Sequence, residues 1–243
     1  MSKRLKFFLI HLSISLIIVL SVIGLVFFVW YPTPLVTAVG VTQIFLMMLS
    51  IDMIVGPLLG LLVYKEGKKT LKFDLSIIIA IQISALCYGL YSIEQGRPAW
   101  LVYNVDRFEL VRKNEIVDQN INQANKQFQQ PSWLKPQFVA TEFSKNTQQR
   151  NDDIFAEVLG GISLAQRPER YVDFAQAKKQ MQQRAQKIEL LQQYNNKTKV
   201  EKILAKYPQA TAFLPMKANA VDMTVLIDIK GQVVKIVDLR PWQ

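Results

Sequence analysis

Four residues within one apolar run have the types and spacing to bind a partner inside a membrane. The run "SIDMIVGPLLGLLVY", residues 50–64, contains Asp52, Gly56, Pro57 and Gly60. Residues four apart lie on the same face of a helix, so Asp52, Gly56 and Gly60 form one stripe. A carboxyl group near the middle of a bilayer is costly and normally faces protein or water. A Gly-x-x-x-Gly pattern lets helices approach closely, and a proline frees one backbone carbonyl. We therefore predict that this stripe packs against another helix.

The sequence leaves the identity of that helix open. Within the chain, Ser84 and Tyr88 lie at a depth comparable to that of Asp52, and either side chain could hydrogen-bond the carboxyl group as interhelical contacts do. Alternatively, the stripe receives the transmembrane helix of another protein. Both interpretations account for Asp52, and they can overlap.

Catalysis by paired aspartates needs two carboxyl groups that share a proton. The second candidate is Asp74, which lies roughly 15 Å from Asp52 in depth at 1.5 Å of rise per residue. Asp74 is better explained as the N-cap of a following helix. Proton or ion relays use chains of ionisable groups, which these spans do not contain. We therefore expect neither proteolysis nor transport.

The rest of the sequence also lacks common catalytic equipment. Residues 94–243 contain no histidine and no cysteine, because His11 and Cys87 are the only residues of those types. That excludes Ser-His and Cys-His nucleophilic sites and the usual zinc ligands in this region. Asp152 and Asp153 are adjacent, but carboxylates at a helix start more often serve the cap and dipole. We expect no enzyme activity, no metal and no cofactor.

Three long apolar stretches must position the stripe. They cover about 7–31, 39–63 and 75–93, and a membrane-spanning helix needs about 20 residues. We predict a transmembrane region over 1–94 and a soluble domain over 95–243. The first stretch is too long for the apolar core of a signal peptide, so we expect it to be retained.

Basic residues in the short segments predict the orientation. The loop "PTPLVTA" between the first two stretches has neither Lys nor Arg. Basic residues cluster instead before the first stretch and between the second and third stretches. Because basic clusters favour the cytoplasm, we expect the N-terminus inside the cell and the C-terminal domain outside it. The predicted topology anchors are Lys3, Arg4, Lys6, Lys65, Lys68, Lys69 and Lys72.

The soluble domain is predicted to be α+β, with an N-terminal strand, helices and a C-terminal β-hairpin. The alternation in "WLVYNVDRFELV", residues 100–111, indicates the strand, and a turn at Lys230-Gly231 indicates the hairpin. We interpret residues 119–150 as a loop around a short helix. Helices are expected in three segments: "NDDIFAEVLGGI", capped by Asn151 or Asp152 and ended by Gly160-Gly161; residues 171–194, with apolar positions three and four apart; and "VEKILAKYP".

Charge gives little support for nucleic-acid binding. The chain has a formal net charge of +10, of which +6 falls on residues 94–243. These basic residues are dispersed, without the aromatic interleaving or basic stripe that such binding requires. We expect no nucleic-acid partner.

A succession of short motifs resembles the type IV pilin accessory proteins of Gram-negative bacteria, the TfpX/TfpZ kind. The matching stretches are Asp52 with "GPLLGLLV", "FDL" at 73–75, Gln82 followed by "ALCYGLY", "GRPAWLVYNVDRFELV", and the terminal "VDLRPW". Residues 119–150 match least.

The resemblance implies a multi-pass protein of the bacterial inner membrane with a periplasmic domain, acting as a dedicated chaperone or assembly modulator for one pilin. It implies contact with the pilin's single transmembrane helix and headgroup, with the lipid bilayer and with the pilus assembly machinery. The competing hypothesis is a membrane-tethered periplasmic sensor or interaction module unrelated to pili. Such a sensor normally carries a cytoplasmic output domain, whereas only short segments of this chain are predicted to lie in the cytoplasm.

Overall fold

A computed structural model describes residues 1–142 and 146–242 and separates the chain into two compact units. The first comprises Met1–Pro32 and Val41–Gly96, and we call it the helical unit. The second comprises Thr33–Gly40 and Arg97–Gln243, and we call it the α+β unit. The α-helices in chain order are α1 Lys3–Leu25, α2 Leu35–Val39, α3 Thr42–Val63, α4 Leu71–Gln95, α5 Thr147–Gly160, α6 Lys178–Arg184, α7 Leu191–Tyr194 and α8 Lys197–Leu204.

The helical unit is built from α1, α3 and α4. A π-helical turn, Val26–Trp30, extends α1. Within the described residues, these three helices are long and apolar enough to cross a membrane. In this unit α3 packs against both α1 and α4. The predicted span beginning at 39 starts instead at Thr42, because Gly40 adopts the left-handed conformation and ends α2 first.

The start of α4 corrects one predicted role. Asp74 is not the N-cap, because the helix begins at Leu71 and its cap is Thr70. Asp74 lies in the first turn, where it accepts a hydrogen bond from Thr70 Oγ1 at 3.0 Å and pairs with Lys68 at 2.7 Å. A carboxylate there still favours the helix, since it faces the positive end of the helix dipole.

The α+β unit contains a mixed β-sheet. Its strands in the described residues are β1 Pro98–Asn104, β2 Arg107–Arg112, β3 Gln137–Thr141, β4 Tyr171–Val172, β5 Gln186–Lys187, β6 Ala212–Lys217, β7 Met223–Ile227 and β8 Val233–Val237. Their order is β4-β3-β1-β2-β6-β7-β8, with β5 paired to β6. The β1–β3 and β2–β6 pairs are parallel, and the other pairs are antiparallel. The predicted α+β class and C-terminal hairpin are confirmed.

Both faces of the sheet are covered, as the alternation of its strands requires. On β1, Leu101 and Tyr103 face one hydrophobic cluster, whereas Trp100 and Val102 face another. Trp100 packs edge-on against Phe128 and Tyr171 in the second cluster. A third cluster includes Leu191, Val200, Phe213, Leu226 and Val237.

The predicted N-terminal strand is a hairpin instead of a single strand. Val105, at a φ of 58°, takes the left-handed conformation and turns the chain between β1 and β2. Tyr103 Oη donates a hydrogen bond to the Val105 carbonyl at 3.0 Å. Apolar and polar residues keep alternating through the turn, so the sequence pattern does not reveal it. Glu109 is buried and accepts hydrogen bonds from Asn104 and Ser163.

Three other local predictions were wrong. The continuous helix over 171–194 is divided into β4, α6, β5 and α7. Helix α5 is capped by Asn146 rather than by Asn151 or Asp152, although it ends at Gly161 in the left-handed conformation as expected. The interval 119–150 contains β3, which the sequence interpretation missed. Of that interval, residues 143–145 lie outside the described part of the chain.

The segment between α1 and α3 belongs to the α+β unit. Leu35 and Ala38 of α2 are buried in the cluster that contains Leu101. The Ala38 carbonyl accepts hydrogen bonds from the backbone N–H groups of Ala220, at 2.9 Å, and Val221, at 3.2 Å. The sequence predicts a plain loop of the membrane region here, whereas the structure makes the segment part of the soluble core.

Candidate functional site

The two glycines of the predicted stripe face helices of the same chain. Gly56 and Gly60 are both buried. A Cβ added at Gly56 would lie 1.9 Å from Gln82 Oε1 on α4, and one added at Gly60 would lie 2.9 Å from Phe7 Cε1 on α1. Pro57 is buried beside them. The glycines therefore bring α3 close to α1 and α4, which is the internal packing that the sequence left open.

Asp52 does not bond to either side chain proposed for it. Ser84 Oγ donates to the Ala80 carbonyl of its own helix at 2.8 Å, and the Tyr88 side chain is exposed. Asp52 Oδ2 is buried, and no hydrogen-bond partner for it lies in the described residues 1–142 and 146–242. A carboxylate oxygen in this position is costly to leave unpaired.

Gln82 is the centre of a polar cluster that the sequence analysis missed. Its Nε2 donates to Ser15 Oγ at 3.1 Å and to the Asp52 carbonyl at 2.9 Å. Its Oε1 lies 2.9 Å from His11 Nε2. The amide oxygen can only accept, so His11 Nε2 is the donor of that pair. One amide therefore links all three helices of the helical unit.

The hydrogen bond to Gln82 determines whether the other ring nitrogen of His11, Nδ1, is a hydrogen-bond donor or an acceptor. With the proton on Nε2, the Nδ1 atom of neutral His11 is an acceptor. Nδ1 is buried and has no partner in the part of the chain that the structure describes. Two acceptors, His11 Nδ1 and Asp52 Oδ2, thus remain unsatisfied around one amide.

This polar cluster, His11, Ser15, Asp52 and Gln82, lines a cavity of about 270 Å³ in the helical unit. We call the cavity the groove. Its remaining lining is apolar and comes from α1, α3 and α4: Ile14, Ile18, Val19, Met53, Ile79, Ile83 and Leu86. Ile14 and Ile83 are exposed, so the groove opens to the surroundings of the bundle. It combines apolar walls with a few convergent polar groups, as ligand sites do.

The carboxylate pairs considered for catalysis do not form. Asp74 is engaged by Lys68 and Thr70 at the opening turn of α4. Asp153 is held by Arg167 and Arg170 and does not pair with Asp152. Among residues 1–142 and 146–242, no group of three His, Cys, Asp or Glu is placed to hold a metal ion.

The predicted topology anchors include residues that meet at one end of the helical unit. Lys3 forms an ion pair with Glu66, and Arg4 Nε donates to the Leu61 carbonyl at 2.6 Å. Lys68 pairs with Asp74. The start of α1 therefore lies beside the connection between α3 and α4. The other four anchors are exposed: Lys6, Lys65, Lys69 and Lys72.

Fold and site together define a class of protein: three apolar helices of membrane-spanning length that share a polar-floored groove, followed by an α+β domain. Comparison with known proteins makes this more specific. The chain belongs to the fimbrial assembly protein family. The family model "Fimbrial assembly protein FimB" matches residues 1–40.

Three relatives from Dichelobacter nodosus extend the match. The fimbrial assembly proteins of serogroups E1 and I are each 30% identical over 244 residues, covering 96% of this chain and 94% of theirs. The fimbrial assembly protein of serogroups C1 and C2 is 36% identical over 117 residues, covering 47% of this chain and 89% of its own. No solved structure gives a significant match.

Proposed function

We propose that the protein is an inner-membrane accessory of type IV pilus biogenesis that acts without catalysis, as a chaperone or assembly modulator for one pilin. Family membership supports a role in pilus biogenesis, since the relatives are described as fimbrial assembly proteins. The groove supports a role as a binding protein. In this proposal it holds the single transmembrane helix of the pilin before the pilin enters the fibre.

The unsatisfied acceptors of the groove are the observation that carries this proposal. Asp52 Oδ2 and His11 Nδ1 are buried without partners in the described chain. In hydrocarbon an unpaired polar group is expensive, and ionisable residues inside a membrane usually mark functional sites. A pilin helix in the groove would pack on the isoleucine walls and could present a hydrogen-bond donor to these acceptors. Gly56 positions the floor of the groove through its close approach to Gln82.

The α+β unit supports the proposed topology. The segment 33–40 connects α1 to α3 and packs in the same core as residues after 97. If the helices cross a membrane, that segment and the C-terminal domain must lie on the same side. The basic residues near Lys3 and Lys68 lie at the opposite end of these spans along the chain, and basic ends favour the cytoplasm. The proposal therefore places the α+β unit in the periplasm.

Site-specific photocrosslinking in cells tests the occupant of the groove. A photoreactive residue at Ile83, on the groove wall, should capture the pilin. Ile81 is a matched control, because it is exposed on the same helix but does not line the groove. Capture from both positions, or from neither, would contradict the proposal.

A substitution separates this role from a purely structural one. Asp52→Leu should lower surface piliation while the amount of the accessory protein in the membrane stays unchanged. The buried Oδ2 of Asp52 has no partner among residues 1–142 and 146–242, so removal of the carboxylate should not weaken the bundle. If the protein itself disappears, Asp52 is a structural residue and the groove loses its main support.

A further inference from the structure

Helix α5 of the α+β unit exposes its apolar face. Ile154, Phe155, Val158 and Leu159 are 45%, 61%, 74% and 81% exposed. Their spacing of one, three and four residues places them on one side of the helix. Single exposed apolar residues are ordinary, but a contiguous patch of large ones on a soluble domain marks an interaction site. We call this patch the α5 face.

Buried ion pairs hold α5 in the orientation that exposes its apolar side. Asp153, on the side of the helix opposite the α5 face, is only 4% exposed. Arg167 donates to its Oδ1 at 2.6 Å, and Arg170 donates to both of its oxygens, at 2.8 and 3.1 Å. Rotating α5 to bury the apolar residues would pull this carboxylate away from two guanidinium groups. The outward direction of the α5 face is therefore specified by the fold.

The charges on α5 indicate which partner suits this face. Asp152 and Glu157 are exposed carboxylates on the helix, whereas Arg150 is its only cation within 147–160. A second copy of the chain, packed α5 against α5, would oppose like charges. Helices that lie on a membrane surface are rich in Lys and Arg, which α5 is not. Four side chains also present far less than the ~800 Å² per partner of a standard stable interface.

We infer that the α5 face is a transient docking surface for a pilin, recognising an apolar segment of its headgroup that is bordered by lysine or arginine. This inference rests on the proposed function and adds a second contact, outside the membrane, to the one in the groove. The weak, small contact suits a client that must later be released. The exposed carboxylates of Asp152 and Glu157 favour a partner with lysine or arginine beside its apolar segment. Such electrostatic complementarity contributes mainly to specificity.

The test uses the full-length protein in lipid nanodiscs with purified pilin. A photocrosslinker at Val158 should form an adduct with the pilin headgroup. Ile229 is the matched control, because it is an exposed apolar residue elsewhere in the α+β unit. Adducts only with lipid, with a second copy or with nothing would overturn the inference, as would equal capture from Ile229. If a crosslinker at Ile83 in the groove still captures pilin, only the inference about the α5 face is refuted. If Ile83 also gives no pilin adduct, the proposed function is refuted as well.

Substitutions then test the chemistry of the α5 face. Val158→Asp should weaken pilin binding on the order of tenfold, as loss of a central apolar contact does. Reversing the border with Asp152→Lys and Glu157→Lys should also weaken it, and the wild-type interaction should weaken with added salt. All three positions are exposed, so circular dichroism should match the wild type. Unchanged binding, or tighter binding after the charge reversal, would refute the assignment.

Discussion

Asp153 lies in the α+β unit and Asp52 in the helical unit, and the two carboxylates differ in whether their buried oxygens have hydrogen-bond partners. In the α+β unit, both oxygens of Asp153 accept hydrogen bonds from arginine side chains. In the helical unit, Asp52 Oδ2 is buried but has no partner within the described residues. A buried charge that the fold pairs is part of the structure, whereas one that the fold leaves unpaired needs an explanation from outside it.

The contrast extends to the surfaces of the two regions. The helical unit gathers four polar side chains in the groove and exposes many large apolar residues on its outer surface, as a bilayer would require. The α+β unit packs apolar residues on both faces of the sheet, whereas α5 exposes four large apolar side chains on one side of a helix. In each region, the place that departs from the local pattern is the place where we propose contact with the pilin.

The largest expected difference between the two carboxylates is in their effect on stability when each is neutralised in turn. Asp153→Asn should lower the free energy of unfolding of the full chain by about 4 kcal/mol, because it leaves two guanidinium groups uncompensated. Asp52→Asn should leave that free energy unchanged. Denaturation in detergent, followed by tryptophan fluorescence, measures both. Equal destabilisation would mean that Asp52 is as structural as Asp153.

A second substitution tests where the boundary between the regions falls. Leu35→Ala should destabilise the α+β unit by about 3 kcal/mol, because it leaves a cavity in that core although Leu35 precedes α3 in the chain. Thr37→Ala, at an exposed position of the same short helix, is the control. Hydrogen exchange should show the loss in β6 and β7. Exchange altered only in α1 and α3 would assign this segment to the helical unit.

A smaller effect is expected at the close contact beneath the groove. Gly56→Ala should displace the Gln82 amide, because the new Cβ would lie 1.9 Å from its Oε1. The loss of its hydrogen bonds should cost about 1 kcal/mol and should reduce crosslinking of pilin from Ile83. Gly24→Ala has open space around the new methyl group and should be neutral or slightly stabilising. Equal effects at both glycines would argue against a specific role for Gly56.

The smallest effect is a dependence on pH at Glu115 of the α+β unit. Burial raises the pKa of this carboxyl, but hydrogen bonds from Arg112 and Asn219 outweigh it and hold the pKa below the ordinary 4.5. The folded state is therefore favoured above pH 4.5, and this contribution disappears as the pH falls through the lowered pKa. Glu115→Gln should remove part of the acid sensitivity of unfolding. Identical acid titrations for the two proteins would show that the contribution is absent.

The sequence predicted those structural features that depend on residues close together in the chain, such as turns and helix ends. The Val/Ile-rich runs on either side of Lys230-Gly231 identified the β7–β8 hairpin, and the Gly160-Gly161 pair identified the end of α5. The strand β3 was missed because its partner, β1, is distant in the chain and pairs with it in parallel. The interval 171–194 has helical spacing, but Met181 and Leu191 pack in different hydrophobic clusters, and extended backbone at Ala185 separates them.

The site was only half visible in the sequence. Asp52 and the glycines stood out as polar and small residues in an apolar run. Gln82 carried the same signal, an amide inside an apolar stretch, but only the structure shows it joined to His11 and Ser15. Which helix faces reach one amide depends on how three helices pack, and no single periodicity contains that information.

The α2 segment has a consequence for the order of events during biosynthesis. Ala38 leaves the ribosome early, yet the N–H groups that bond its carbonyl belong to Ala220 and Val221, near the end of the chain. The soluble core therefore cannot close until Val221 has been synthesised, by which time α1 and α3 have already been made. Once closed, the core holds both ends of the connection between α1 and α3, because segment 33–40 is part of it.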